Sequence, residues 1–73
     1  MIERIVIDPE IQHGKPVIRG TRVPITRILG GLAGGMKKEE IMREYELTEE
    51  DIEAAISYAN ELIEAEEFHP LPG

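Results

Sequence analysis

Residues 25–67 read ITRILGGLAGGMKKEEIMREYELTEEDIEAAISYANELIEAEE, and the spacing of their apolar residues decides the fold. Ile25, Ile28, Leu29, Leu32 and Met36 recur at i, i+3, i+4, i+7 and i+11, one stripe of an amphipathic helix. Gly34-Gly35 supply its stop. The interior pair Gly30-Gly31 costs about 1 kcal/mol per glycine relative to alanine, so close approach of another backbone is expected there. A second, shorter helix is predicted from Lys38 to Tyr45, with Ile41, Met42 and Tyr45 as its apolar positions. Thr48-Glu49-Glu50-Asp51 has the form of a capping box, with Asp in place of the usual Glu or Gln at the third helical position. Its acids also suit the positive end of the helix dipole. The third helix then presents Ile52, Ala55, Ile56, Ala59, Leu62 and Ile63 on one apolar face and continues to Glu66 or Glu67. Phe68-His69-Pro70-Leu71-Pro72-Gly73 is a tail, because two prolines prevent further helix.

Outward from this block, towards the N-terminus, the pattern changes to short β-branched runs. Residues 4–7, Arg-Ile-Val-Ile, suit a strand that Asp8-Pro9 ends. Pro16-Val17-Ile18 reads as a second strand punctuated by Gly20, and Val23-Pro24-Ile25 as a brief third pairing. Thr21 and Thr26 are candidate N-caps for the first helix, and Pro24 suits its first turn. The expected architecture is mainly α: two or three short strands within residues 1–24, a three-helix core over 25–67, and a tail over 68–73, all in one domain.

Composition narrows the functions open to such a chain. Seventy-three residues make one small domain, too small to hold a core and a large enclosed active site together. There is no cysteine, so disulfides and thiolate zinc sites are excluded. Small domains without such staples often gain stability by oligomerising, and a homodimer is expected. No apolar run approaches the ~20 residues of a membrane span, and the charged start MIERIVIDPE is unlike a signal peptide, so a cytoplasmic location is expected. His13 and His69 have no paired-ligand spacing, and Ser57, the only serine, has no neighbouring base. The glycines around Gly34-Gly35-Met36-Lys37 lack the Gly-Lys-Ser/Thr of a phosphate loop. The reading is therefore non-enzymatic, with no metal and no cofactor.

Charge is split between the two halves. Residues 1–38 carry seven Lys and Arg against three acids, whereas residues 39–73 carry only Arg43 against twelve acids, within a net charge of -7. Such asymmetry suggests two electrostatically different partners. Lys15, Arg19, Arg22 and Arg27 are the candidate phosphate contacts, joined by Lys37 and Lys38 at the start of the second helix. Arg22, in a Gly-Thr-Arg turn, has an alternative role in hydrogen bonding backbone carbonyls. The acids opening the third helix, Glu49, Glu50, Asp51 and Glu53, would repel phosphates from the position where a standard recognition helix reads bases.

The run Ile7-Asp8-Pro9, then Gly14-Lys15-Pro16-Val17-Ile18-Arg19-Gly20-Thr21-Arg22-Val23-Pro24-Ile25, is distinctive. With Gly35-Met36, Glu39-Glu40-Ile41, Tyr45, Leu47 to Ile52, Ala54-Ala55 and Tyr58-Ala59, it closely resembles family 433 of the domains of unknown function over most of the chain. The resemblance implies a homeodomain-like, helix-turn-helix core preceded by short strands. It also implies an antitoxin of a type II toxin–antitoxin pair, partnered by a PIN-like ribonuclease and autoregulating its operon by binding operator DNA. Two positions depart from the pattern. Lys37 stands where a small capping residue often follows the Gly-Met pair, at a cost of about 1 kcal/mol, and Glu46 stands where proline often follows the tyrosine. On this reading Leu62, Ile63, Glu66, Glu67, Phe68 and Leu71 are the candidate toxin contacts, since they mix apolar groups with acids beyond the core. The competing reading is a small homodimeric protein–protein interaction module with no DNA role.

Overall fold

A computed structural model of the chain describes residues 3–66. Six elements follow in order: β1 (Ile5–Val6), a single 3-10 turn (Gln12–Gly14), β2 (Val17–Ile18), α1 (Ile25–Ala33), α2 (Lys38–Tyr45) and α3 (Glu49–Ala65). The fold is mainly α, three helices preceded by a two-stranded antiparallel sheet. Glu67, Phe68 and Leu71, with the rest of the tail, lie outside the described residues.

The strands are shorter than the β-branched runs that encode them. Ile5 pairs with Ile18 and Val6 with Val17, and the backbone N–H of Arg19 donates to the carbonyl of Arg4 at 2.6 Å. The expected third strand reduces to a single bridge between Val17 and Pro24. Proline has no N–H to extend a ladder, and the chain turns into α1 one residue later. Neither threonine caps that helix. Pro24 is the N-cap residue, and Thr26 lies inside the helix. The Thr21 hydroxyl instead donates to the carbonyl of Ile18 at 2.8 Å and accepts from the backbone N–H of Val23 at 3.0 Å, closing the turn between β2 and α1.

The core is built chiefly of isoleucine. Ile18 from β2, Ile25 and Ile28 from α1, Ile41 from α2, Leu47 from the following turn, and Ile52 and Ala55 from α3 form one buried cluster. Ile5, Val23, Leu29, Leu32, Met36, Met42, Tyr45 and Tyr58 pack partly buried around it. The glycines of α1 serve it differently from the expectation of backbone contact. A Cβ on Gly31 would meet the tips of Ile41 and Met36, Cδ1 at 3.2 Å and Sδ at 3.3 Å, whereas one on Gly30 would meet nothing. The close approach is thus by side chains, and at Gly31 only.

Two ends of helices follow the sequence closely. α2 spans the residues that its pattern predicts, although it stops without glycine: Glu46 takes the left-handed conformation, φ 56°, and the N–H of Leu47 reaches the carbonyl of Met42 at 2.9 Å. The αL conformation costs a non-glycine residue about 1–2 kcal/mol. At the start of α3 the capping box forms, with Asp51 N–H donating to Thr48 Oγ1 at 3.2 Å and Thr48 N–H to Asp51 Oδ2 at 3.0 Å. At the start of α2 only half of such a box forms. Lys37 N–H donates to Glu40 Oε1 at 2.8 Å, but the Lys37 ammonium has no lone pair with which to accept in return.

Candidate interaction surfaces

α3 is the element that reaches beyond the core. Ile52 and Ile63 are eleven residues apart, three helical turns, so they lie on one face about 16 Å from each other. Ile52 is fully buried and Ile63 is 57% exposed. Ala55 is the last buried residue, Tyr58 and Ala59 are half-buried, and residues 60–66 are all exposed. The apolar face is core in its first half, and among the described residues nothing packs against the second, which agrees with the expectation that Leu62 and Ile63 lie beyond the core. Ile56 and Leu62 are exposed as well.

The electrostatics of this free end are unfavourable within the chain. Glu61, Glu64 and Glu66 are exposed, and no basic residue lies in the last turn of α3. Glu61, Glu64 and Glu66 thus sit at the negative end of the helix dipole, where carboxylates are destabilising. Of the toxin-contact candidates, Leu62, Ile63 and Glu66 belong to this end.

The basic candidates divide into engaged and free. Arg19 is engaged: its Nε donates to the carbonyl of Glu3 at 2.6 Å, so the arginine that holds a backbone carbonyl is Arg19 rather than Arg22. Arg22 takes part only through its own carbonyl, which accepts from Gln12 Nε2 at 3.0 Å. Lys38 is engaged by Glu49 across the α2–α3 turn. This hydrogen bond, reinforced by the opposite charge, raises the Lys38 pKa above its ordinary value and lowers that of Glu49. Lys15, Arg22, Arg27 and Lys37 are exposed, and none is ion-paired among the described residues.

Asp51 is the buried exception among the acids, 9% exposed. One carboxylate oxygen completes the cap, and the other accepts from Arg4 Nη1 at 3.1 Å, which ties β1 to the start of α3. Beside this pair runs an open groove of about 620 Å³, lined by Glu3, Arg4, Arg19, Glu50, Glu53 and Ser57. Its walls carry both signs of charge, and sequence reading gave no hint of it, since Arg4 and Asp51 are 47 residues apart. Openness to solvent on this scale is unlike the enclosed sites in which catalytic groups are desolvated. Among the described residues no group of three His, Asp or Glu could hold a metal ion, and no helix is long and apolar enough to cross a membrane.

With this geometry established, similarity to known proteins places the chain. The profile of a family of proteins of unknown function, DUF433, matches residues 5–59, most of the sequence. The chain belongs to the DUF433 family. A crystal structure of a DUF433 member from Anabaena variabilis superposes with a TM-score of 0.77 at 32% identity, covering 84% of this chain and 61% of that one. This DUF433 chain thus spans about three-fifths of the length of that relative. An uncharacterised protein of Archaeoglobus fulgidus is 54% identical over 24 residues, 33% of this chain and 67% of the other.

Proposed function

We propose that this DUF433 protein is the antitoxin of a toxin–antitoxin pair, and that it neutralises a PIN-like ribonuclease by laying the free end of α3 on it. The observation that supports this reading is the second half of α3. Leu62 and Ile63 stand 51% and 57% exposed on a helix that has outrun its core, between carboxylates that no cation offsets among the described residues. Apolar side chains so placed supply affinity once buried, roughly 1.5–3 kcal/mol each when buried completely. The carboxylates select the partner. A second copy of the chain on this face would set acid against acid, whereas a ribonuclease surface is basic because its substrate is a polyanion. A basic partner would also relieve the unfavourable charge at the helix C-terminus.

The same face would serve an interaction module with a different basic partner, and a nuclease assay separates the two readings. A PIN-like ribonuclease from the same organism is titrated with the chain, and inhibition complete near one chain per active site is expected. Nuclease activity unchanged at a tenfold excess of the chain would overturn the antitoxin reading.

A further inference from the structure

The groove beside the Arg4–Asp51 pair is independent of the antitoxin reading, and neither Leu62 nor Ile63 lines it. One wall is a face of α3, where Glu50, Glu53 and Ser57 recur at i, i+3 and i+7. The other wall stands where the strands begin and end. Arg4 precedes β1, Arg19 follows β2, and the N–H of Arg19 on the carbonyl of Arg4 joins their backbones. Each guanidinium is oriented by one hydrogen bond: Arg4 Nη1 to Asp51 Oδ1 at 3.1 Å, and Arg19 Nε to the carbonyl of Glu3 at 2.6 Å. A guanidinium carries five N–H donors, so most of each fork has no acceptor among the described residues. Such a fork matches a carboxylate, which it can grip with two parallel bonds. Glu50 and Glu53, on the α3 wall, are exposed and form no ion pair among the described residues.

We propose that this groove binds short peptides with free termini, the carboxylate on Arg4 and Arg19 and the ammonium on Glu50 and Glu53. The charges of the lining select a dipolar ligand. A simple anion meets the carboxylates of Glu3, Glu50 and Glu53, and a simple cation meets the two guanidinium groups. The dimensions select a peptide. Glu50 and Ser57 are seven residues apart on α3, about 10.5 Å of helix, and an extended tripeptide spans about 10 Å. The volume of about 620 Å³ falls within the roughly 300–1,000 Å³ of small-ligand sites. Ala54 is the one apolar residue of the lining, so recognition rests on the charged termini and not on burial of ligand side chains. The Ser57 hydroxyl is left to meet a peptide amide.

The test is a ¹H–¹⁵N chemical-shift titration of the protein at pH 7 and 20 mM NaCl, where screening is weak. Triglycine is the probe; N-acetyltriglycine lacks its ammonium and triglycine amide lacks its carboxylate. Triglycine should move the amide signals of Arg4, Arg19 and residues 50–57 with a Kd on the order of a millimolar. Each control should bind about fivefold more weakly, the worth of one partly exposed charge contact. Glu53→Gln should weaken triglycine about fivefold and leave N-acetyltriglycine unchanged, because that probe has no ammonium to lose. Arg19→Gln should likewise weaken triglycine and leave triglycine amide unchanged. These paired comparisons separate ligand contact from a general effect on folding. No shift at 20 mM triglycine, equal affinity for the three probes, or a Glu53→Gln variant that weakens triglycine and N-acetyltriglycine alike would overturn the proposal.

Discussion

Replacing Ile52 and Ile63 separately by alanine compares the two ends of one helix face. Ile52 is fully buried in the isoleucine core, and truncating such a residue costs about 2–5 kcal/mol through lost burial and the cavity left behind. A chain of this length has a total stability of roughly 4–11 kcal/mol, so Ile52→Ala removes about a fifth of it at the least. Ile63 lies on the same face three turns later but is 57% exposed, and its truncation should change stability by no more than about 0.5 kcal/mol. At about 4–8 °C per kcal/mol, thermal unfolding by circular dichroism should fall by more than 8 °C for the first variant and by less than 4 °C for the second. The runs are made at 5 and 100 µM, because a face closed by a second copy would make the Ile63→Ala deficit depend on concentration. A loss above about 1.5 kcal/mol for Ile63→Ala at the lower concentration would refute the reasoning, since it would mean that the end of α3 is packed within the chain.

The other expectations concern the helix ends. Asp51→Ala removes both the reciprocal cap of Thr48 and the partner of Arg4, and should cost about 1–2 kcal/mol in urea unfolding, the half-exposed arginine adding the smaller share. Gly30→Ala, where a Cβ meets open space, should raise stability by roughly 0.5–1 kcal/mol, whereas Gly31→Ala should gain less because the tips of Ile41 and Met36 must move. The Lys38–Glu49 pair sets a pH window. Its hydrogen bond lowers the Glu49 pKa in the folded chain, so its contribution is full above the unfolded carboxylate value and lost as pH falls through the folded one. It also raises Lys38, so the contribution is lost again as pH rises through the folded lysine value. The melting difference between the parent and Glu49→Gln should accordingly be flat across neutral pH and close at both extremes.

The helices were legible because their apolar period is a property of the sequence itself. Lys38 to Tyr45 and the Thr48–Asp51 cap could be read directly, since both depend on residues within one or two turns. That Leu62 and Ile63 lie beyond the core was also expected, but the point at which burial ends, after Ala55, could not be read. The period from Ile52 to Ile63 is uniform, but α1 and α2, nine and eight residues long, have no length left to cover the end of a helix of seventeen. Periodicity marks a face and carries no information on how much of that face has a partner. The roles of Arg19 and Arg22 were exchanged for a similar reason. Which arginine runs along β1 depends on the register of a two-residue ladder, and β-branched content alone does not set register. The link between Arg4 and Asp51 joins the residue before β1 to the start of α3, 47 residues apart, and left no local trace.

The central claim, that the free end of α3 docks a basic ribonuclease, is tested most directly by titration calorimetry of a PIN-like ribonuclease from the same organism with the parent and with Leu62→Ala/Ile63→Ala. Both side chains are more than half exposed, so the double variant should melt with the parent. Their burial in a complex is worth about 3 kcal/mol together, and affinity should fall on the order of a hundredfold. Equal affinity for parent and variant, with both folded, would contradict the account and move the contact away from α3.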